Sequence, residues 1–210
     1  FRGCSNVIHM IQHEEIEVKF LEIDAQDLQK KLEDIGAVRI GEYFQRVHIF
    51  DFPGFPLDTA HSWVRLRDNG EKVTLSFKKR VGVASKGGDN NDETAQEIEI
   101  VVDDLEKTKQ ILFAIGMIDK RYMENKRVKW RKGTITFDID SWPRVPTYVE
   151  IEGDSLDAVK GVSEELGFDF KEGKIYSAQQ VFLRYGIDPN EYATMTFEKF
   201  IKKDGTLDVV

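Results

Sequence analysis

The sequence predicts an α+β fold: a closed, eight-stranded antiparallel β-barrel with helices packed on its outside. Three observations carry that prediction. Charged and apolar residues alternate in about eight segments, the mark of strands with two unlike faces. Three amphipathic helices interrupt the strands, each following a strand that carries the triplet Glu-Ile-Glu. The polar faces are charged almost throughout, yet their charges sort by sign from strand to strand.

In chain order, EEIEVKF (14–20) sets Glu15, Glu17 and Lys19 against Ile16, Val18 and Phe20. A helix over about 25–36 gathers Leu28, Leu32 and Ile35 on one side. Residues 43–51 read as a strand with less cleanly divided faces, and 52–60 as a loop. SWVRLR (62–67) opposes Arg65 and Arg67 to Val64 and Leu66; KVTLSFKK (72–79) opposes Thr74, Ser76 and Lys78 to Val73, Leu75 and Phe77. Asp68-Asn69-Gly70 supplies the turn between them.

A second long polar loop spans 81–95. QEIEIVV (96–102) sets Glu97 and Glu99 against Ile98 and Ile100, and a helix over 104–116 carries Leu105, Thr108, Leu112 and Ile115. NKRVKWR (125–131) places Asn125, Arg127, Lys129 and Arg131 opposite Val128 and Trp130; after Lys132-Gly133, TITFDID (134–140) places Thr136, Asp138 and Asp140 opposite Ile135, Phe137 and Ile139. TYVEIE (147–152) sets Glu150 and Glu152 against Val149 and Ile151. The third helix, 155–166, shows Leu156, Val159, Val162 and Leu166, with Asp154 or Ser155 as N-cap. All three helices end on an apolar residue and a glycine: Ile35-Gly36, Ile115-Gly116 and Leu166-Gly167. That pairing suits a left-handed C-cap and makes the strand–helix–glycine unit read as a repeat.

The expected organisation is a flexible leader over 1–12, a barrel domain over 13–173, and a helical tail over 174–210 that packs on the barrel. Met10, just before the first strand, suits a natural start, with residues 1–9 belonging to something upstream. A tail helix is expected over 176–185, then a turn in YGIDPNEY.

Bulk properties narrow the function. A chain of 210 residues can bury a sizeable core. Its net charge of −8 argues against a nucleic-acid-coating surface. A single cysteine, Cys4, excludes an internal disulfide framework and a multi-thiolate metal site, which fits a reducing cytoplasm. No run approaches the roughly 20 apolar residues of a membrane-spanning helix.

The polar faces then suggest chemistry. Glu15, Glu17, Glu97, Glu99, Asp138, Asp140, Glu150 and Glu152 are acidic; Lys19, Arg65, Arg67, Lys78, Arg127, Lys129 and Arg131 are basic. Helices packed on the apolar faces leave the charged face over, and closing the sheet makes it a lumen. The alternative is an open sheet with that face in water. Clustered carboxylates repel unless a cation sits among them. Oxygen-only donors suit a hard ion such as Mg²⁺ or Mn²⁺, while facing guanidinium and ammonium groups suit a polyphosphate. Together they form the arrangement phosphoryl transfer requires. His48 and His61 are candidate general bases, though each also reads as a structural or exposed histidine. Trp130 and Trp142 are expected to pack; Trp142 could instead stack on an organic part of a substrate.

EIEVK is similar to the ExExK signature of the CYTH superfamily, the triphosphate tunnel metalloenzymes. The resemblance continues in order through RLR, LSFKK, EIE, KRVKW, DID and YVEIE, over about residues 13–170. It implies an eight-stranded tunnel that binds a triphosphate and a divalent metal, Mg²⁺ or Mn²⁺. Family members include inorganic, thiamine and RNA triphosphatases and class IV adenylyl cyclases. The short spacings look most like the compact bacterial CyaB-like members.

By the same resemblance, Glu15, Glu17, Asp140, Glu150 and Glu152 would hold the metal. Lys19, Arg65, Arg67, Lys78, Arg127 and Lys129 would bind phosphates, and Lys19 would also activate the nucleophile. Glu97, Glu99 and Asp138 either complete the metal site or neutralise the lumen's cations. The chain departs from the pattern at Asn125, where the family often has lysine (Lys126 or Lys129 could substitute), and near Val47, where it often has an acid. The expected activity is metal-dependent hydrolysis of inorganic triphosphate or a triphosphate ester. The alternatives are a class IV adenylyl cyclase acting on ATP and a non-catalytic polyphosphate or nucleotide binder. The expected partner is a small triphosphate compound, with no nucleic acid or membrane; a homodimer stays open.

Overall fold

The computed structural model describes residues 16–81 and 94–208. The expected leader, Met10, Glu15 and most of the 81–95 loop lie outside the described residues. In chain order the elements are β1 (Ile16–Phe20), α1 (Ala25–Asp34), β2 (Val38–Asp51), α2 (Pro56–Thr59), β3 (Ser62–Asp68), β4 (Val73–Val81) and β5 (Thr94–Val102). There follow α3 (Leu105–Ala114), β6 (Ile118–Lys132), β7 (Ile135–Ser141), β8 (Tyr148–Gly153) and α4 (Leu156–Glu165). The tail contributes α5 (Ala178–Arg184), β9 (Tyr192–Met195), β10 (Phe200–Lys202) and β11 (Leu207–Asp208).

The three expected helices start where a side chain can satisfy the first free amides. Asp24 accepts from Gln26 N and Asp27 N, Asp104 from Lys107 N, and Ser155 from Ala158 N. They stop at Gly36, Gly116 and Gly167, whose φ values of 77°, 92° and 88° lie where other residues are strained.

The strands form one antiparallel path in the order β1-β8-β7-β6-β2-β3-β4-β5. In this path β4 stands six strands from β1. A flat sheet at about 4.8 Å per strand would hold them roughly 29 Å apart. Yet Lys78 of β4 and Glu17 of β1 lie close enough for each charge to shift the other's titration. The sheet is therefore strongly curled, with its charged face on the concave side.

The expected closure is not completed. Among the described residues β1 and β5 share no ladder. Lys19 N instead donates to Lys174 O (2.8 Å), and Lys174 N to Lys19 O (2.9 Å). The chain beyond α4 thus occupies the free side of β1 at the point where a closing strand would pair, and the sheet is a curled half-barrel.

Apolar faces point outward and are covered except on β5, where Ile98 and Ile100 stay exposed. Val18, Phe20, Phe137, Ile139, Val149 and Ile151 pack with Leu28 and Leu32 of α1 and Val159 and Val162 of α4. Phe50 and Leu66 pack with Leu112 of α3 and Met117. The tail carries the expected helix and then more than the expected turn. α5 forms behind a Ser177–Gln180 capping box, but the segment after it folds into small strands, with β9 running parallel to β6. Phe182, Tyr192, Met195 and Phe200 of this tail pack on Val47 and Met123. By register Val47 lies opposite Arg67, so these apolar side chains share the charged face and cap part of it.

Candidate functional site

The concave face is a ladder of cross-strand neighbours. On β1 and β8, Glu17 stands opposite Glu152 and Lys19 opposite Glu150. Lys19 Nζ lies 2.8 Å from Glu17 Oε1 and 2.9 Å from Glu150 Oε2, and its side chain is 3% exposed. Burial alone would pull the ammonium down, but Glu150 and Glu17 outweigh it and hold it charged, above the usual lysine range. Burial likewise opposes ionisation of Glu150, yet Lys19 and then Arg127 keep it well below the usual carboxylate range. Glu17 moves the other way. The loss of solvent at the concave wall, followed by the Glu150 charge, raises its carboxyl against the pull of Lys19, although the Glu17 side chain keeps 40% of its surface exposed.

On β6 and β7, Arg127 lies opposite Asp140, and Lys129 opposite Asp138. Arg127 Nε donates to Asp140 Oδ1 at 2.7 Å, its Nη2 to Asp140 Oδ2, and its Nη1 to Asp138 Oδ2. Asn125 Nδ2 also donates to Asp140 Oδ1, at 3.2 Å. The two aspartates stay ion-paired although their side chains are 4% and 1% exposed. Lys129 Nζ is 3.7 Å from Asp138 Oδ1, beyond hydrogen-bond reach. Tyr148, opposite Asp140, takes the indole N–H of Trp142 on its hydroxyl at 2.9 Å.

On β3, β4 and β5 the cations meet Glu97 and Glu99. Arg65 Nη2 donates to Glu97 Oε1 at 2.9 Å and Glu99 Oε2 at 3.3 Å; Arg67 Nη2 reaches Glu99 at 3.4 Å, and Lys78 pairs with Glu97. Burial, then the neighbouring Arg65 and Arg127 charges, pulls Arg67 down to about 10. Lys78 is lowered by burial and then Arg65. Polar atoms remain over: Arg65 Nε, Thr74 Oγ1, Asn125 Oδ1 and Asp138 Oδ1 are buried without a hydrogen-bond partner among the described residues. Protein interiors rarely leave such groups unmatched unless something else meets them.

The structure thus gathers Glu17, Lys19, Arg65, Arg67, Lys78, Glu97, Glu99, Arg127, Lys129, Asp138, Asp140, Glu150 and Glu152 on one concave face. Within it, Glu97 and Glu99 pair with Arg65, Arg67 and Lys78, and Asp138 and Asp140 pair with Arg127. Among the described residues no three Asp, Glu, His or Cys side chains converge closely enough to hold a metal ion. The donor set still suits a hard cation in kind. Glu17, Glu150 and Glu152 offer only oxygens. Asp140 fits less well, since both its oxygens serve Arg127.

Several other expectations resolve away from the charged face. His48 lies on the outer face, with Nδ1 2.6 Å from Asp119 Oδ2, and His61 sits in an exposed turn. Trp130 is in the outer core, and Trp142 packs edge-on to Phe182. The missing acid near Val47 has a physical reason, because Val47 belongs to the apolar cap. Neither the cap nor the pairing of Tyr148 with Trp142 leaves a periodic signal in the sequence, since each depends on contacts between distant segments.

A family model described as the CYTH domain matches residues 13–181. A candidate adenylate cyclase from Vibrio parahaemolyticus superposes with a TM-score of 0.67 at 12% identity, covering 80% of this chain and 97% of that one. The PH1012 protein of Pyrococcus horikoshii OT3 gives 0.63 at 20% identity, covering 80% and 98%. HpAC1 of Hippeastrum, a candidate adenylyl cyclase described as having a dominant triphosphatase activity, gives 0.59 at 16% identity, covering 82% and 96%. At these identities the likeness is one of fold. No curated protein matches the chain.

Proposed function

The chain belongs to the CYTH domain family, and on that premise we propose that it hydrolyses a triphosphate compound on its concave face with a divalent metal. The observation that carries this reading is the division of that face into two unlike walls. One offers carboxylates around a fixed Lys19; the other offers Arg65, Arg67 and Lys78 on partly exposed, exchangeable partners. The activity described for HpAC1 of the same fold agrees with it.

In this reading the phosphate chain replaces Glu97 and Glu99 as the partner of Arg65, Arg67 and Lys78, and meets the orphan donors Arg65 Nε and Thr74 Oγ1. Arg127 commits three of its about five N–H groups to Asp138 and Asp140, which hold the remainder in a fixed direction toward developing phosphoryl charge. Lys19 acts as a permanent positive charge. Its ammonium is clamped by two carboxylates, which makes it unsuited to taking a proton from water. Glu17, Glu150 and Glu152 are the residues that would hold the metal, Mg²⁺ or Mn²⁺, which supplies charge neutralisation and Lewis-acid polarisation. Water displaces the leaving diphosphate or its ester, and the bridging P–O bond breaks.

Incubation with inorganic triphosphate, ATP or thiamine triphosphate plus Mg²⁺ or Mn²⁺, with the products resolved, tests the proposal. Metal-dependent phosphate release supports it. Cyclic AMP with pyrophosphate from ATP would replace it by the cyclase reading, and metal-dependent binding without turnover by the binder reading.

A further inference from the structure

The geometry points to a second anion site, at the end of the concave face beyond the apolar cap of Val47, Ile49 and Met123, where Arg121, Lys120 and Lys203 bind a phosphate-class oxyanion between the sheet and its tail. β6 carries a register shift opposite Ile49 and Phe50, and Lys120 is the residue skipped in the pairing. That irregularity turns two consecutive cations inward. Lys120 is 7% and Arg121 5% exposed.

Arg121 is a buried guanidinium with no ion pair among the described residues. Its Nη2 donates to Asn190 Oδ1 at 2.9 Å, and its Nε is buried with no acceptor. Lys203 also has no ion pair among the described residues. It lies 4.9 Å from the centroid of Phe55, and Lys120 Nζ lies 5.1 Å from the same centroid. The nearby carboxylates are already engaged. Asp58 takes Lys120 at 2.9 Å, Asp188 accepts Asn190 N at 2.8 Å, and Glu191 faces Lys202 at 3.4 Å.

Three cations beside Asp58 and Asp188 leave a deficit of negative charge around the buried Arg121, with Lys203 at the exposed rim, and an unpaired buried charge is costly. The strain registers in the groups themselves. Burial pulls Arg121 down to about 10, and burial with the Lys120 and Arg121 charges lowers Lys203. A guanidinium edge beside two ammonium groups offers convergent donors for a tetrahedral oxyanion. Lys120 and Arg121 come from the barrel while Lys203 and Asn190 come from the tail, so a bound anion fastens one to the other.

The test uses inorganic phosphate alone and does not depend on turnover. Thermal melting of the full chain is compared in chloride and in phosphate at matched ionic strength. Phosphate should raise the midpoint in proportion to its binding. On an Arg65→Gln background, which weakens the phosphate wall of the concave face, the rise should persist, and it should vanish there when Arg121→Gln or Lys203→Gln is added. In chloride, Arg121→Gln should melt at or above the parent, because it removes a charge that has no partner. An Arg121→Gln that melts lower in chloride, a phosphate shift kept when Lys203→Gln is added to Arg65→Gln, a shift lost in Arg65→Gln, or no shift in the parent would each overturn the site.

Discussion

The two halves of the sheet carry the same kinds of charge and hold them differently. In the β1–β8–β7–β6 half, the side chains of Lys19, Asp138 and Asp140 are at most 4% exposed and locked on close partners. In the β3–β4–β5 half, Arg65, Arg67, Lys78, Glu97 and Glu99 are 17 to 30% exposed, and the two contacts to Glu99 lie at 3.3 and 3.4 Å. The outer faces differ in the same sense. α1 and α4 bury the first half, whereas Ile98 and Ile100 of β5 are about half exposed. Buried ion pairs are expensive to separate and partly solvated ones are not. The first half is therefore a fixed charge scaffold, and the second a set of cations free to trade partners for a ligand.

The largest effect expected from this contrast follows Arg127→Gln. It leaves Asp138 and Asp140 buried without their guanidinium and should cost about 3–5 kcal/mol of folding stability, read by chemical denaturation. Arg65→Gln in the other half should change stability by about 1 kcal/mol or less while weakening triphosphate binding in calorimetry. Equal losses of stability in the two variants would erase the distinction between the halves.

Glu17→Gln sharpens the boundary within the first half. Its carboxyl is raised by burial and by Glu150, so removing the charge relieves that repulsion, while the amide can still accept from Lys19. Stability should hold to within about 1 kcal/mol, and metal-dependent turnover should fall well over tenfold. An unaffected rate would remove Glu17 from the metal site.

Much of this contrast is legible in the sequence because period-two alternation places side chains on faces. Spacing alone assigns Arg65, Arg67, Lys78, Glu97, Glu99, Glu150 and Glu152 to one surface. Alternation does not say which opposite charges pair. Asp140 reads as a metal ligand by resemblance; its pairing with Arg127 is set by the β6–β7 register, which spacing does not carry. Nor does it survive a bulge: Lys120 and Arg121 are consecutive and both buried, a pattern that no regular strand predicts. The closing edge and the apolar cap depend on Lys174, Phe182 and Met195, whose partners lie far away in sequence. Val47 and Ile49, apolar on an otherwise charged face, are the local trace of that cap.

The smallest effect separates the halves by titration. Arg67 is held down at about 10 by burial and by Arg65 and Arg127, with Glu99 opposing, whereas Asp140 and Asp138 hold Arg127 above the usual arginine range against its burial. Below about 10 Arg67 is charged in the folded and unfolded chain alike, and the folded state bears the cost of that buried charge. As pH rises through about 10 the folded chain releases the proton before the unfolded one does. This group's contribution to stability therefore improves with pH while its hold on an anion weakens. Triphosphate affinity, measured by calorimetry from about pH 8 to about pH 11, should be flat at first and then fall through the Arg67 transition, and Arg67→Gln should flatten the fall. A decline that persists in Arg67→Gln would assign the titration to another group, with Lys78, also lowered, the next to substitute.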